Sequence, residues 1–132
     1  VWKKVSIGLQ GKETQSGPAG VVLGSEGLEA SGLSRYCKHF TETIESTALL
    51  VTNLQQAANG TGVGQSYIDV LIYINGRLVG VNYATSDTTT GNFGVSASVT
   101  ETLQSGTSSF SLCVRNNNVT APTVNYSVSL VQ

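Results

Sequence analysis

The chain has 132 residues and a mass of 13.8 kDa, enough for one domain and short for two. Seven Lys+Arg stand against eight Asp+Glu, for a formal net charge of −1, and charged residues are only 11% of the total. A charge this sparse and balanced argues against nucleic acid and against a polybasic membrane anchor, and no apolar run is long enough to span a bilayer. Polarity comes instead from 16 Ser, 15 Thr and 9 Asn, with 15 Gly among them. The first residue is Val with no leader-like segment behind it, so the expectation is a piece of a longer chain.

In chain order, Val5, Ile7 and Leu9 alternate with Ser6, Gly8 and Gln10, which predicts a strand. Trp2, Val5 and Leu9 also fit heptad spacing, so the end of a trimeric shaft over residues 1–10 is the competing reading. Residues 11–33 carry six Gly and Pro18 and predict an irregular excursion with a short strand at Val21, Val22 and Leu23. Residues 36–58 are ambiguous. Phe40, Ile44, Ala48, Val51, Leu54 and Ala58 step by three or four as in a helix, but Thr41, Thr43, Ile44, Thr47, Val51 and Thr52 are β-branched. Two strands, about 35–42 and 46–56, are the expectation.

The second half is plainer. Ile68, Val70, Ile72 and Ile74 form one apolar face, and Asn75-Gly76 then supplies a type I′ turn, so residues 67–83 read as a hairpin. Phe93, Val95, Ala97 and Val99 alternate with small polar residues. So do Phe110, Leu112 and Val114, and then Val124, Tyr126, Val128 and Leu130. The total is about eight strands, which predicts a single all-β domain over 1–132 built as an antiparallel jelly-roll sandwich.

Chemistry is sparse. His39 is the only histidine, which excludes a His-based metal cluster, and a Ser–His–Asp triad would need it beside a nucleophile and a carboxylate. Asp69, Asp87 and Glu101 are the carboxylates a glycosidase-type pair would draw on. No catalytic residue, cofactor or metal is assigned, and the expectation is a protein that is not an enzyme. Cys37 and Cys113 either form one disulfide, with a chain-entropy contribution of roughly 4 to 5 kcal/mol, or stay as two buried thiols. With nothing to fix the compartment, thiols are the expectation. Three formal glycosylation sequons, at 59–61, 118–120 and 125–127, are no more than this composition produces by chance.

Candidate binding residues come from polar connections and from isolated arginines. Residues 84–92 offer Asp87, Thr89 and Asn92, and residues 116–118 offer Asn117; planar amides and carboxylates match vicinal diols, although the same residues serve turns. Arg77 and Arg115 follow turn or strand ends beside apolar faces and could hold a small carboxylate. The strongest signal is an apolar excess on a face that should be wet. Tyr67, Leu71 and Tyr73 lie opposite the aliphatic row, with Leu78 and Tyr83 on the return. Such a patch marks either an interface, which a three-fold ring of sandwiches would bury, or a face covered by a folded-over loop such as the Gly-rich 11–33 segment; a homo-oligomer is the expectation.

The hairpin around Asn75-Gly76, the stretch FGVSASVTETLQSGTSSFSLCVRNNN and the terminal YSVSLVQ resemble the TNF/C1q-like jelly rolls that cap trimeric fibres. More narrowly, residues 35–132 resemble the C-terminal knob of the tail needle of short-tailed phages infecting enteric bacteria. The resemblance implies a homotrimer at the virion's tail tip that meets the host cell envelope during penetration and genome ejection, without catalysis. It also implies a cleft between protomers, near Arg77 or Arg115 and the tyrosine face, that takes a small ligand or a host cell-surface component. The alternative is a monomeric carbohydrate-binding sandwich that belongs to a larger enzyme or adhesin.

Overall fold

The computed structural model describes residues 10–132, so the strand-or-shaft expectation for residues 1–9 lies outside the described residues. Among the described residues, period-two alternation becomes strand, because each strand can then turn one face to a common core. The elements are β1 (Gln10–Pro18), α1 (Ala19–Val22), β2 (Ser25–Leu28), β3 (Ser34–Ile44), β4 (Ala48–Gly60), β5 (Gln65–Ile74), β6 (Arg77–Asp87), β7 (Asn92–Leu103), β8 (Gly106–Asn117) and β9 (Val119–Val131). Two antiparallel sheets, ordered β1-β9-β4-β7 and β2-β3-β8-β5-β6, pack face to face as a β-sandwich. Among the described residues no helix is long and apolar enough to cross a membrane.

Residues 36–58 form two strands, as expected, in longer versions. Their helical spacing was fortuitous: Phe40 and Ile44 face the core from β3, while Leu50, Leu54 and Ala58 face it from β4. The Gly-rich segment is corrected. It is not an irregular excursion but an edge strand paired along its whole length with β9, then one helical turn and a short strand. Val21, Val22 and Leu23 are therefore not a strand: α1 and its C-terminal residue bury Val22 and Leu23 and leave Val21 exposed. The polar connections also shrink. Residues 84–87 and 92 lie in β6 and β7, and only Asn118, at φ 56°, separates β8 from β9. Asn75 and Gly76 take φ 50° and 80°, the left-handed pair a type I′ hairpin needs.

The core is apolar and stacked. Phe40 lies on Phe110 at 4.7 Å between ring centroids, and Tyr126 meets Phe40 edge-on at 6.1 Å. At the flank between β1 and β3 the sandwich is closed by polar groups. Tyr126 Oη donates to Glu13 Oε1 at 2.6 Å, Lys38 Nζ lies 3.2 Å from the same oxygen, and Lys38 stands 5.8 Å from the rings of both Phe40 and Tyr126. Burial pulls the Glu13 carboxyl up, but the Tyr126 hydroxyl and the Lys38 ammonium outweigh it and hold the group below its usual 4.5. Burial first, then the bond to Glu13, pushes the Tyr126 phenol well above its usual 10.

Both shifts link pH to stability. The lowered Glu13 carboxyl stabilises the fold above pH 4.5, and that contribution is lost as pH falls through its native value. The raised Tyr126 phenol keeps its proton in the native state, so the fold loses stability above pH 10, where the unfolded phenol ionises first. Denaturant midpoints measured across pH should therefore be flat between about pH 5 and 9. Glu13→Gln should make the acid limb shallower, and Tyr126→Phe should do the same for the alkaline limb.

Candidate functional site

The outer face of the five-stranded sheet carries the molecule's densest chemistry. Register sets it up in rows: Arg35, Arg115, Asp69 and Tyr83; then Cys37, Cys113, Leu71 and Val81; then His39, Ser111, Tyr73 and Leu78. Residues 24–33, the β2 edge and its turn, lie beside these rows and reach over them with Glu26 and Glu29.

Asp69 anchors the face. It is only 1% exposed, and its carboxylate accepts from Arg115 N at 2.9 Å, Arg115 Nε at 2.8 Å and Tyr67 Oη at 3.0 Å, with Arg115 Nη2 at 2.6 Å. From the other sheet, fully buried Gln56 on β4 donates Nε2 to the Asp69 and Arg115 carbonyls at 2.8 and 3.1 Å, and its Oε1 accepts from Asn116 Nδ2 at 3.0 Å. The two sheets are thus joined by hydrogen bonds beneath the ion pair. The bond to Asp69, more than any other influence, raises the Arg115 guanidinium's proton affinity. Burial and then the Asp69 charge push the Tyr67 phenol above its usual 10, so it stays protonated and donates.

Cys37 and Cys113 are joined in a disulfide, correcting the expectation of thiols. They are direct cross-strand partners with Cα atoms 4.2 Å apart, a proximity that sequence spacing does not disclose. The bridge and Tyr73 cover Leu71, which is 3% exposed within the single chain. Part of the apolar excess is therefore covered from within. Tyr67 and Tyr83 stack at 6.1 Å and 18°, and Tyr83 remains 65% exposed, next to exposed Val81 and Leu78.

The face also aligns Glu26, His39 and Ser111. Ser111 Oγ lies 2.7 Å from His39 Nδ1, and His39 Nε2 contacts Glu26 Oε1. Carboxylate, imidazole and hydroxyl stand in the order of a hydrolase triad. Ser111 is, however, mid-strand in β8 and paired on both sides, so the neighbouring N–H groups serve the ladders rather than an oxyanion. Glu26, Cys37 and His39 cluster closely enough to suggest a metal, but the Cys37 sulfur is committed to the disulfide.

The sequence candidates divide between places. Arg115, Tyr67, Leu71, Tyr73 and Tyr83 share the outer face, and exposed Asn117 adjoins it opposite Tyr67. Asp87, Thr89 and Asn92 sit at one end of the sandwich. Asp87 accepts from Gln65, Thr89 contacts Ser86, and Asn92 donates to Asn59. There the 88–91 turn lies so close that a Cβ on Gly60 would fall 2.2 Å from the Thr89 carbonyl oxygen. Arg77 is at the other end of β6, paired with Glu101 at 3.0 Å. Its register partner Ile74 and that of Arg115, Asp69, lie about 17 Å apart along β5, so the two arginines do not share a site. Arg35, Glu26 and Glu29 escaped the sequence reading. The one signal for Arg35 was its place in a strand that also holds Cys37, and only the pairing with β8 sets it beside Arg115.

Removing one partner from a buried pair leaves the other uncompensated. Asp69→Asn should lower unfolding free energy by about 3–5 kcal/mol in urea titration. Arg77→Ala, at an exposed pair, should change it by less than about 1 kcal/mol.

No protein-family model matches the sequence, and no curated protein does. Among solved structures the chain is similar to dimeric latent PorU from Porphyromonas gingivalis, with a TM-score of 0.45 and 11% identity, over 100% of this chain and 13% of that one. It is similar to a family 35 carbohydrate binding module from Clostridium thermocellum, with a TM-score of 0.43 and 14% identity, over 98% and 95%. It is also similar to the C-terminal CBM6 of LamC from Zobellia galactanivorans, with a TM-score of 0.33 and 14% identity, over 91% and 100%.

Proposed function

We propose that the chain is a non-catalytic carbohydrate-binding module and that saccharide lies on the outer face of the five-stranded sheet. The observation that carries this reading is the stacked Tyr67–Tyr83 pair, partly open to solvent and flanked by a fixed array of charged and amide groups. A sugar ring presents an apolar C–H face and a rim of hydroxyls. Tyrosine faces take the first, and the guanidinium of Arg115 and the amide of Asn117 take the second. Asp69 and Gln56 hold the donors in place before ligand arrives, which lowers the ordering cost of binding. The strand order β1-β9-β4-β7 against β3-β8-β5-β6 we read as a jelly roll, with β2 as an added edge. The Cys37–Cys113 disulfide supports a module that works in an oxidising compartment, where such bonds persist.

A second reading keeps the phage-tip resemblance: a homotrimer at a virion's tail tip, meeting a host cell-surface component. The exposed row Leu78, Val81 and Tyr83 favours it, because an interface between copies would cover that row. Absolute mass by light scattering separates the two. The carbohydrate module is expected at 13.8 kDa, and a value three times 13.8 kDa would move the assignment to the trimer. On a panel of immobilised oligosaccharides the wild-type chain should retain at least one class. Tyr83→Ala should weaken that binding by about tenfold while leaving the thermal midpoint within a few degrees. Equal binding by wild type and Tyr83→Ala would remove the tyrosine platform from the account.

A further inference from the structure

Arg35 and Arg115 are direct cross-strand neighbours, two like charges side by side on the outer face. Such a pair is unfavourable unless an anion lies between them. Here the anion is internal. Arg35 Nη1 donates to Glu29 Oε2 at 3.3 Å and Arg115 Nη1 to Glu29 Oε1 at 3.4 Å, so one carboxylate bridges both guanidinium groups. Both contacts are long beside the usual range of about 2.7–2.9 Å for charge-assisted bonds, whereas Asp69 holds Arg115 at 2.6 and 2.8 Å. The second carboxylate near Arg35 is also distant, with Nε 3.6 Å from Glu26 Oε2, while Nη2 donates to Cys113 Sγ at 3.5 Å and Tyr73 adds a further side-chain partner.

The segment that supplies Glu29 is an exposed sheet edge, held to β3 by pairing over Ser25–Leu28 and by Glu26. All four residues of β2 are exposed, and Gly27 and Gly32, at φ 95° and 87°, flank Glu29 with open space around them. The 29–33 turn is closed by its own bonds, Glu29 N to Leu33 O and Gly32 N to Glu29 O, so a rotation of the Glu29 side chain frees the Nη1 groups of both arginines without unfolding the turn, while Glu26 stays beside Arg35 Nε. Beside Arg35, and across the disulfide row from Arg115, lies a depression of about 230 Å³ lined by Arg35, Tyr73, His39 and Ser111. The Tyr73 ring supports the Arg35 guanidinium from 5.8 Å.

We propose that Arg35 and Arg115 form a carboxylate-binding subsite, that Glu29 occupies it in the free chain, and that the ligand is a carboxylate-bearing saccharide whose acidic group displaces Glu29. This rests on the carbohydrate reading and names the ligand class for the same face. Loosely held donors favour exchange: an incoming carboxylate recovers both guanidinium contacts, and the depression beside Tyr73 accepts the rest of the sugar. Asp69 stays in place throughout, which keeps Arg115 oriented.

The test is calorimetric titration with glucuronate, its neutral counterpart glucose, and acetate. The proteins are wild type, Glu29→Gln, and Glu29→Gln combined with Arg35→Gln. Removing the internal competitor should tighten glucuronate and acetate by about tenfold in Glu29→Gln and leave glucose unchanged, and the added Arg35→Gln should abolish the gain. Glucuronate binding that is equal in wild type and Glu29→Gln, absent from both, or indifferent to Arg35 would overturn the proposal. The two readings fail separately. Acetate and glucuronate that tighten in Glu29→Gln while no oligosaccharide binds would support the subsite and remove the carbohydrate module. Neutral oligosaccharides that bind through Tyr83 with no carboxylate effect would do the reverse.

Discussion

The outer face is organised around one buried charge. Asp69, 1% exposed, would be strongly destabilising without compensation, which comes from β8 and from its own strand, with the opposite sheet bracing the backbone beside it. Arg115 supplies its guanidinium and its backbone N–H, and Tyr67 supplies its hydroxyl. Gln56 reaches across from the opposite sheet to the adjoining carbonyls. The consequences run outward. Tyr67 is fixed in orientation, so Tyr83 can stack on it; Arg115 is fixed, so Arg35 and Glu29 arrange around it. A carboxylate that would be a liability in an ordinary sheet thereby gives this one a pre-ordered polar surface.

The disulfide and the tyrosines account for the apolar excess in a different way. Leu71 is covered by the Cys37–Cys113 bridge and by Tyr73 within the same chain, while Tyr83, Val81 and Leu78 stay open. What remains exposed is narrow, lies along β6, and adjoins the charged rows. That combination of aromatic area and directed polar groups is what the proposed small amphipathic ligand requires.

How much of this could be read from the residues depends on what each feature leaves in sequence. Strands with a clean apolar face were legible: β5 through Ile68, Val70, Ile72 and Ile74, and β8 and β9 through their own alternation. The Asn75-Gly76 turn was legible because two positive φ angles demand those residues. β1 was not. As an edge strand it carries Lys12, Gly17 and Pro18 and turns little apolar area to the core, so hydrophobic periodicity has nothing to detect, although β9 supplies all its pairing. The short helix α1 hid in the same way, with four residues and no cap signal. The tyrosines were legible as one patch, and Arg115 was set beside them only as one of two arginines; the pairs that hold the face together were not legible, because register between strands far apart in sequence decides them. The Cys37–Cys113, Arg35–Arg115 and Asp69–Arg115 pairs all follow from the alignment of β3 and β5 on β8.

Where ligand sits decides the function of the outer face, and amide chemical-shift mapping of the isotopically labelled chain reads that residue by residue. Titration with whichever oligosaccharide the chain retains should move amides on β5, β6 and β8 around Tyr67, Asp69, Tyr83 and Arg115, together with those of the 29–33 turn. Shifts confined to the outer face of the four-stranded sheet, around Asn53, Gln55, Asn125 and Ser127, would contradict the account and place binding on the opposite side of the sandwich.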